Sequence, residues 1–163
     1  MRSRRQIPGR ACALALLAGI ALGPAVPAAA GEPPEPVGPH LPERVRGLLL
    51  QEMNAILDAS QEILAALVRG QHQRVAEQAQ AIHDSFILKQ QMTDADRQAL
   101  MAAVPAGFVD RDRAFHRLTG RLAQAAREGE AARQRALFDR MIEACTACHR
   151  RYAHDRFPGL RRD

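Results

Sequence analysis

The sequence predicts an all-α fold, an antiparallel up-down four-helix bundle. Between Glu43 and Phe157 there is one proline, Pro105, and no alternating β-branched run, while Ala, Leu, Arg, Gln and Glu, all good helix formers, dominate. Apolar residues recur at steps of three and four through four long stretches, the spacing of an amphipathic helix. Gly70 and Gly129 separate the first pair and the last pair of these stretches. Loops that short make sequential helices antiparallel neighbours.

Residues 1–30 are expected to stand apart from that fold. Met1-Arg2-Ser3-Arg4-Arg5 is a basic n-region, Ala11 to Leu22 an apolar h-region, and Ala28-Ala29-Ala30 an A-x-A cleavage pattern. Together they read as a secretory signal peptide cleaved after Ala30. The apolar run is shorter than the ~20 residues of a spanning helix, which argues against a membrane anchor. Four of the 23 basic residues and none of the 18 acidic ones lie in this segment, so the processed chain carries 19 against 18 and a formal net charge of +1. The basic pI of the precursor is then no argument for nucleic-acid binding. No later segment is long and apolar enough to insert stably in a membrane, and the expected location is the periplasm.

Residues 31–42 hold Pro33, Pro34, Pro36, Pro39 and Pro42 and read as an extended linker laid loosely on the surface. The helical bundle is expected over residues 43–163. Its first helix starts near Pro42 and stops at Gly70, with Val45, Leu49, Met53, Ile56, Ser60, Ile63 and Leu67 as its apolar stripe. The second runs from about Gln71 to Gln90, with Val75, Ala79, Ile82 and Phe86 inward. Thr93-Asp94-Ala95-Asp96 is a cap-like start for a short helix from Asp94 to Ala103. The third long helix covers roughly Gly107 to Glu128, with Phe108, Phe115, Leu118, Leu122 and Ala125 on one face. Arg111, Arg113, Arg117, Arg121 and Arg127 lie mostly off that face and read as solvated. The fourth runs from about Glu130 to Ala153, with Leu137, Met141, Ala144 and Cys148 inward. No exposed apolar stripe in this pattern demands a dimer.

The chemistry concentrates in Cys145-Thr146-Ala147-Cys148-His149. Two thiols three residues apart, with an imidazole directly after the second, is the spacing for covalent attachment of a c-type haem. On a helix Cys145 and His149 are i, i+4 and Cys145 and Cys148 are i, i+3, so all three project from one face. A zinc site would need a fourth ligand, and there is no second CxxC or HxxxH. A thioredoxin-like CxxC begins a helix in a βαβ pattern, whereas this one ends a helix in an all-α chain. A lone disulfide is the remaining alternative, since export places both thiols in an oxidising compartment. His83 and His116 lie mid-helix beside apolar positions and read as surface or interface residues ahead of ligands. His40, His72 and His154 sit in linker, turn and tail.

Helix count, motif position and the extension to Cys145-x-x-Cys148-His149-x-x-Tyr152 resemble the cytochrome c′ family, the class II c-type cytochromes, over about Glu43 to Leu160. The resemblance departs at Ala153, where family members often carry a basic residue. It implies one haem c per chain, bonded through Cys145 and Cys148, with His149 as axial ligand and Tyr152 near the haem edge. For the sixth iron position it implies a residue of the first helix. Counting back from Gly70 puts that position at Met53 within about a residue, while counting forward with Arg46 as anchor puts it at Leu50. Gly70 is the better anchor, and a thioether from Met53 would suit haem iron and raise its potential. The expected function is therefore one-electron transfer with a redox partner protein. The alternative is a five-coordinate iron that captures NO or CO, with Leu50 or a neighbour crowding the distal face. No nucleophile–base pair or distal acid–base pair points to an enzyme. The resemblance also leaves room for a homodimer through the first two helices.

Overall fold

A computed structural model of the chain describes residues 35–160, so the signal-peptide reading of residues 1–30 and the start of the linker lie outside the described residues. The described chain is helical throughout. It comprises α1 (Glu43–Arg69), α2 (His72–Asp84), α3 (Leu88–Gln91), α4 (Asp94–Ala103), α5 (Ala106–Arg127) and α6 (Ala131–Tyr152), with 3-10 turns at Gly38–His40 and Pro158–Leu160. The four long helices pack in a ring: α1 on α2, α2 on α5, α5 on α6, and α6 back on α1. The last of these joints is much the slightest.

Gly70 and Gly129 close their helices in the left-handed region, each with φ 69°. Gln71 N–H donates to Ala66 O and Glu130 N–H to Ala125 O, so both turns have the Schellman pattern that a glycine makes accessible. Thr93 caps α4 as its sequence suggests. Its hydroxyl accepts from Asp96 N–H at 3.1 Å, and the Asp96 carboxylate accepts from Thr93 N–H at 3.0 Å. The carboxyl of Asp96 is held below the usual aspartate value, chiefly by hydrogen bonds donated by the Thr93 N–H and the Thr93 hydroxyl and further by Arg44, whose Nε lies 3.2 Å away.

The second helix is shorter than its pattern predicts. It stops at Asp84, Ser85 adopts φ 65°, and the chain restarts as α3. The cause lies 33 residues earlier. Glu52, only 1 % exposed, accepts hydrogen bonds from the Ser85 hydroxyl (2.9 Å) and from the backbone N–H groups of Phe86 (3.1 Å), Ile87 and Leu88 (3.1 Å). Continuing α2 would spend those N–H groups inside a helix. Glu52 also changes the apolar stripe of α1. Val45, Ile56, Ser60 and Ile63 are buried as expected, but in the middle of the helix Leu48 and Glu52 occupy the interior, and Leu49 and Met53 are half-buried beside them.

The core falls into two apolar clusters. The larger gathers Ile56, Ala59, Ile63, Val75, Ala79, Ile82, Leu118, Leu122, Leu137 and Met141, with Met53, Phe86, Phe115 and Ala144 at its margin. The smaller gathers Val37, Leu41, Val45, Leu48, Met92, Val104 and Tyr152, with Leu49, Phe108 and Cys148 at its margin. The linker is thus only partly the loose arm that its prolines predict. Val37 and Leu41 are buried, and Val37 N–H donates to Tyr152 O at 2.8 Å. The prolines exclude a helix there without excluding burial, and two apolar residues four apart are enough to dock the segment. The other departure is on α1, where Leu57, Leu64 and Val68 are exposed along one face, an apolar stripe absent from the sequence reading.

Both mid-helix histidines serve the α2–α5 interface. His83 Nδ1–H donates to His116 O at 2.6 Å, and His116 Nδ1–H donates to Ile82 O at 2.8 Å. Asp112, on the other side of the His116 ring, raises its pKa against the opposing effect of burial. The helices approach closely at Gly120, where a Cβ would sit 3.0 Å from His83 Nδ1.

Two outcomes follow for stability. Leu41→Ala empties a buried site in a segment that reads as linker, and urea unfolding is expected to show a loss of about 2–4 kcal/mol. Gly120→Ala pushes a methyl group into an imidazole already tied to His116 O and is expected to cost about 1–3 kcal/mol. That cost should largely disappear in a His83→Ala background, which a double-mutant cycle measures.

Candidate functional site

The motif lies in the last two turns of α6 before Tyr152. Cys145, Cys148 and His149 are all half-buried. The two cysteines are free thiols and not a disulfide. Burial pushes the Cys148 thiol up to about 11, with Arg111 acting in the opposite sense, and burial raises Cys145 as well. Both are therefore protonated near neutral pH and carry little of the thiolate character of a redox cysteine. Burial lowers the pKa of His149, which leaves a neutral imidazole with a nitrogen lone pair, the form that ligates a metal.

The two apolar clusters part at the motif. On α6, Ala144 borders the larger cluster and Cys148 the smaller. On α1, Met53 borders the larger and Leu49 the smaller. The line along which the two clusters part, here called the seam, is thus bordered on α1 by Met53 and Leu49 and on α6 by Ala144 and Cys148. Two buried polar atoms lack a hydrogen-bond partner among the described residues, Arg150 Nε and His154 Nδ1, and both flank the motif in sequence. A large apolar ring with polar edge groups fits this donor set. A metal ion held by protein side chains alone does not, because the described residues contain no group of three or more His, Cys, Asp and Glu that could hold one.

Tyr152, expected near the site, is 4 % exposed and meets Phe108 edge-on with ring centroids 5.4 Å apart. Its hydroxyl accepts from Arg151 Nε at 3.3 Å. Gly107 lies against that hydroxyl, where a Cβ would come within 3.0 Å. Tyr152 thus joins α6 to the start of α5, and through its carbonyl to Val37. Met53 lies on the α1 side of the seam, and Leu50 is half-buried one turn before Asn54. The arginines of α5 are exposed, as expected of a solvated face.

A neighbour of the motif histidine that the sequence did not reveal is Phe157. Its ring stacks on His149 with centroids 4.3 Å apart and planes 4° from parallel. The contact depends on the chain turning back after Ala153, where Arg156 N–H and Phe157 N–H both donate to Ala153 O. An aromatic shortly after the motif was a visible signal, but the reversal was not.

A family model described as Cytochrome C' matches residues 46–153, from early α1 to the end of the motif helix. The chain belongs to the cytochrome c′ family. Comparison with curated proteins and with solved structures finds no match. Family membership implies a four-helix bundle that binds haem c covalently. Proteins of the cytochrome c′ family are haem carriers, not enzymes, and are typically periplasmic. No described helix is long and apolar enough to cross a membrane.

Phe157→Leu removes the stacked ring while keeping an apolar side chain. We expect a stability loss of about 1 kcal/mol, from the lost aromatic pair. In the haem-free chain the His149 ring protons should move downfield in proton NMR as they leave the shielding face of Phe157.

Proposed function

We propose that this chain is an exported one-electron carrier holding one haem c, with Cys145 and Cys148 as its attachment points, His149 as one axial ligand and Met53 as the other. The haem supplies the redox centre, and the protein tunes it through ligand identity and burial. His149 offers a neutral imidazole oriented by Phe157. Tyr152, tied to Phe108 and Val37, holds the helix end that carries it. The half-buried apolar margins of α1 and α6 limit water at the seam.

The observation that carries Met53 is its register on α1. With Glu52 turned into the interior, Met53 lies about 100° and Leu49 about 60° round the same side of the helix, on the shoulder that borders the seam. Leu50 lies about 160° from Glu52, level with the exposed Val68, while the exposed Leu64 and Leu57 fall at about 120° and 140°, so Met53 stands at the inner edge of that exposed face. A second reading rests on the burial of Leu50, which is half-covered despite that direction. In it, Leu50 or Leu49 crowds the distal face, the iron is five-coordinate, and NO or CO is the ligand. For partners, the carrier reading requires a redox protein. The exposed Leu57–Leu64–Val68 face suits a second copy of the chain.

The visible spectrum of the haem-loaded protein, with and without CO, tests the assignment. A low-spin spectrum unmoved by CO is expected, and Met53→Ala should convert it to a high-spin spectrum that CO shifts. A wild-type spectrum that is high-spin and CO-sensitive contradicts Met53 ligation and favours the gas-binding reading. A low-spin spectrum that survives Met53→Ala rules out Met53 as the ligand.

A further inference from the structure

Glu52 is a buried carboxylate that neither the haem attachment nor the iron ligation uses. It is 1 % exposed and placed where α1 passes from the smaller apolar cluster to the larger. Leaving a carboxylate in such a place is costly unless its oxygens are hydrogen-bonded. Here each oxygen accepts two hydrogen bonds. Oε1 takes the Ser85 hydroxyl and Phe86 N–H, and Oε2 takes Ile87 N–H and Leu88 N–H. Four donors from one turn, converging on one side chain, fix the rotation of α1 about its own axis at that point. No apolar residue could do this, because apolar contacts tolerate a helix sliding or turning by a few tens of degrees. A glutamine could serve only one oxygen's donors and would turn its own N–H₂ toward the others.

That rotation matters because of what neighbours Glu52. Met53 follows it directly and Leu49 precedes it by three residues, so a turn of α1 moves both across the seam facing the motif helix. We infer that Glu52 is a positioning residue for the distal face of the haem: by clamping the 85–88 turn it decides which α1 side chain is presented to the iron. The inference rests on the reading in which α1 supplies that distal face, and it does not require the side chain to be Met53. It also gives the break in α2 a purpose. Ser85 at φ 65° and the short α3 present three N–H groups in a row, which an uninterrupted helix could not offer.

The test uses the full haem-loaded protein with Glu52→Gln and Ser85→Ala. Two readouts are taken together: amide hydrogen exchange at Phe86, Ile87 and Leu88, and the ferric and CO-treated reduced spectra. Glu52→Gln should speed exchange at these amides by about tenfold or more, since hydrogen bonds to a charged acceptor are lost. It should also change the spin state or raise the CO response while leaving the haem attached. Ser85→Ala removes one of the four donors and should move both readouts the same way, by less; if Glu52→Gln does not fold, Ser85→Ala decides. Faster exchange with spectra identical to wild type would reduce Glu52 to a purely structural clamp and overturn the inference. Unchanged exchange would overturn the clamp itself. Met53→Ala, Leu49→Ala and Leu50→Ala separate the two layers. If none of the three alters the spectrum, α1 does not supply the distal face. If any of them does while Glu52→Gln does not, the distal face stands and the positioning role fails.

Discussion

The Glu52 carboxylate is the contact on which the middle of the bundle depends. A charged group inside an apolar core is tolerated only because four donors reach it, and leaving those donors unpaired would cost about 1–3 kcal/mol each. Its influence extends in two directions. Toward α2 it ends the helix at Asp84 and sets Ser85 at a positive φ. Toward α1 it places Leu48 and itself in the interior and leaves Leu49 and Met53 on the shoulder. The division of the core into two clusters follows the same line, and the division meets α6 between Ala144 and Cys148. The haem motif therefore sits where the two clusters part.

The motif end of α6 is held from three sides. Val37 N–H reaches Tyr152 O from the N-terminal arm, Phe108 meets the Tyr152 ring from α5, and Phe157 folds back over His149 from the tail. These contacts restrict the imidazole without consuming its basic nitrogen, and burial keeps it neutral. The thiols are protected in a comparable way. Burial suppresses thiolate formation at Cys145 and Cys148, which slows the exchange reactions that would otherwise pair them.

Much of this was legible in the sequence where the governing interaction is local. Gly70, Gly129 and the Thr93–Asp96 capping box act within a turn of their own position, and the helix ends that they set agree with the sequence pattern to within a residue or two. The CxxCH motif with Tyr152 after it is local too, and it pointed to the family that residues 46–153 match. What the sequence hid is non-local. Nothing around Asp84-Ser85-Phe86 announces a break, because the cause is a glutamate on another helix. The stripe through Leu49 and Met53 leaves Glu52 out, and a glutamate ordinarily lies on the surface. Val37 and Leu41 lie among prolines, whose effect on backbone conformation says nothing about burial. Phe157 over His149 needed a chain reversal that no residue type dictates.

These features support the proposal that the chain holds its haem beside the end of α6, anchored through the motif. Intact mass spectrometry of the protein secreted by a host able to mature c-type cytochromes tests that most directly. The account predicts a chain heavier by the mass of one haem under denaturing conditions, with the increment lost in the Cys145→Ala, Cys148→Ala double variant. A wild-type chain carrying no haem, or one lighter by two hydrogens through a Cys145–Cys148 disulfide, would contradict it.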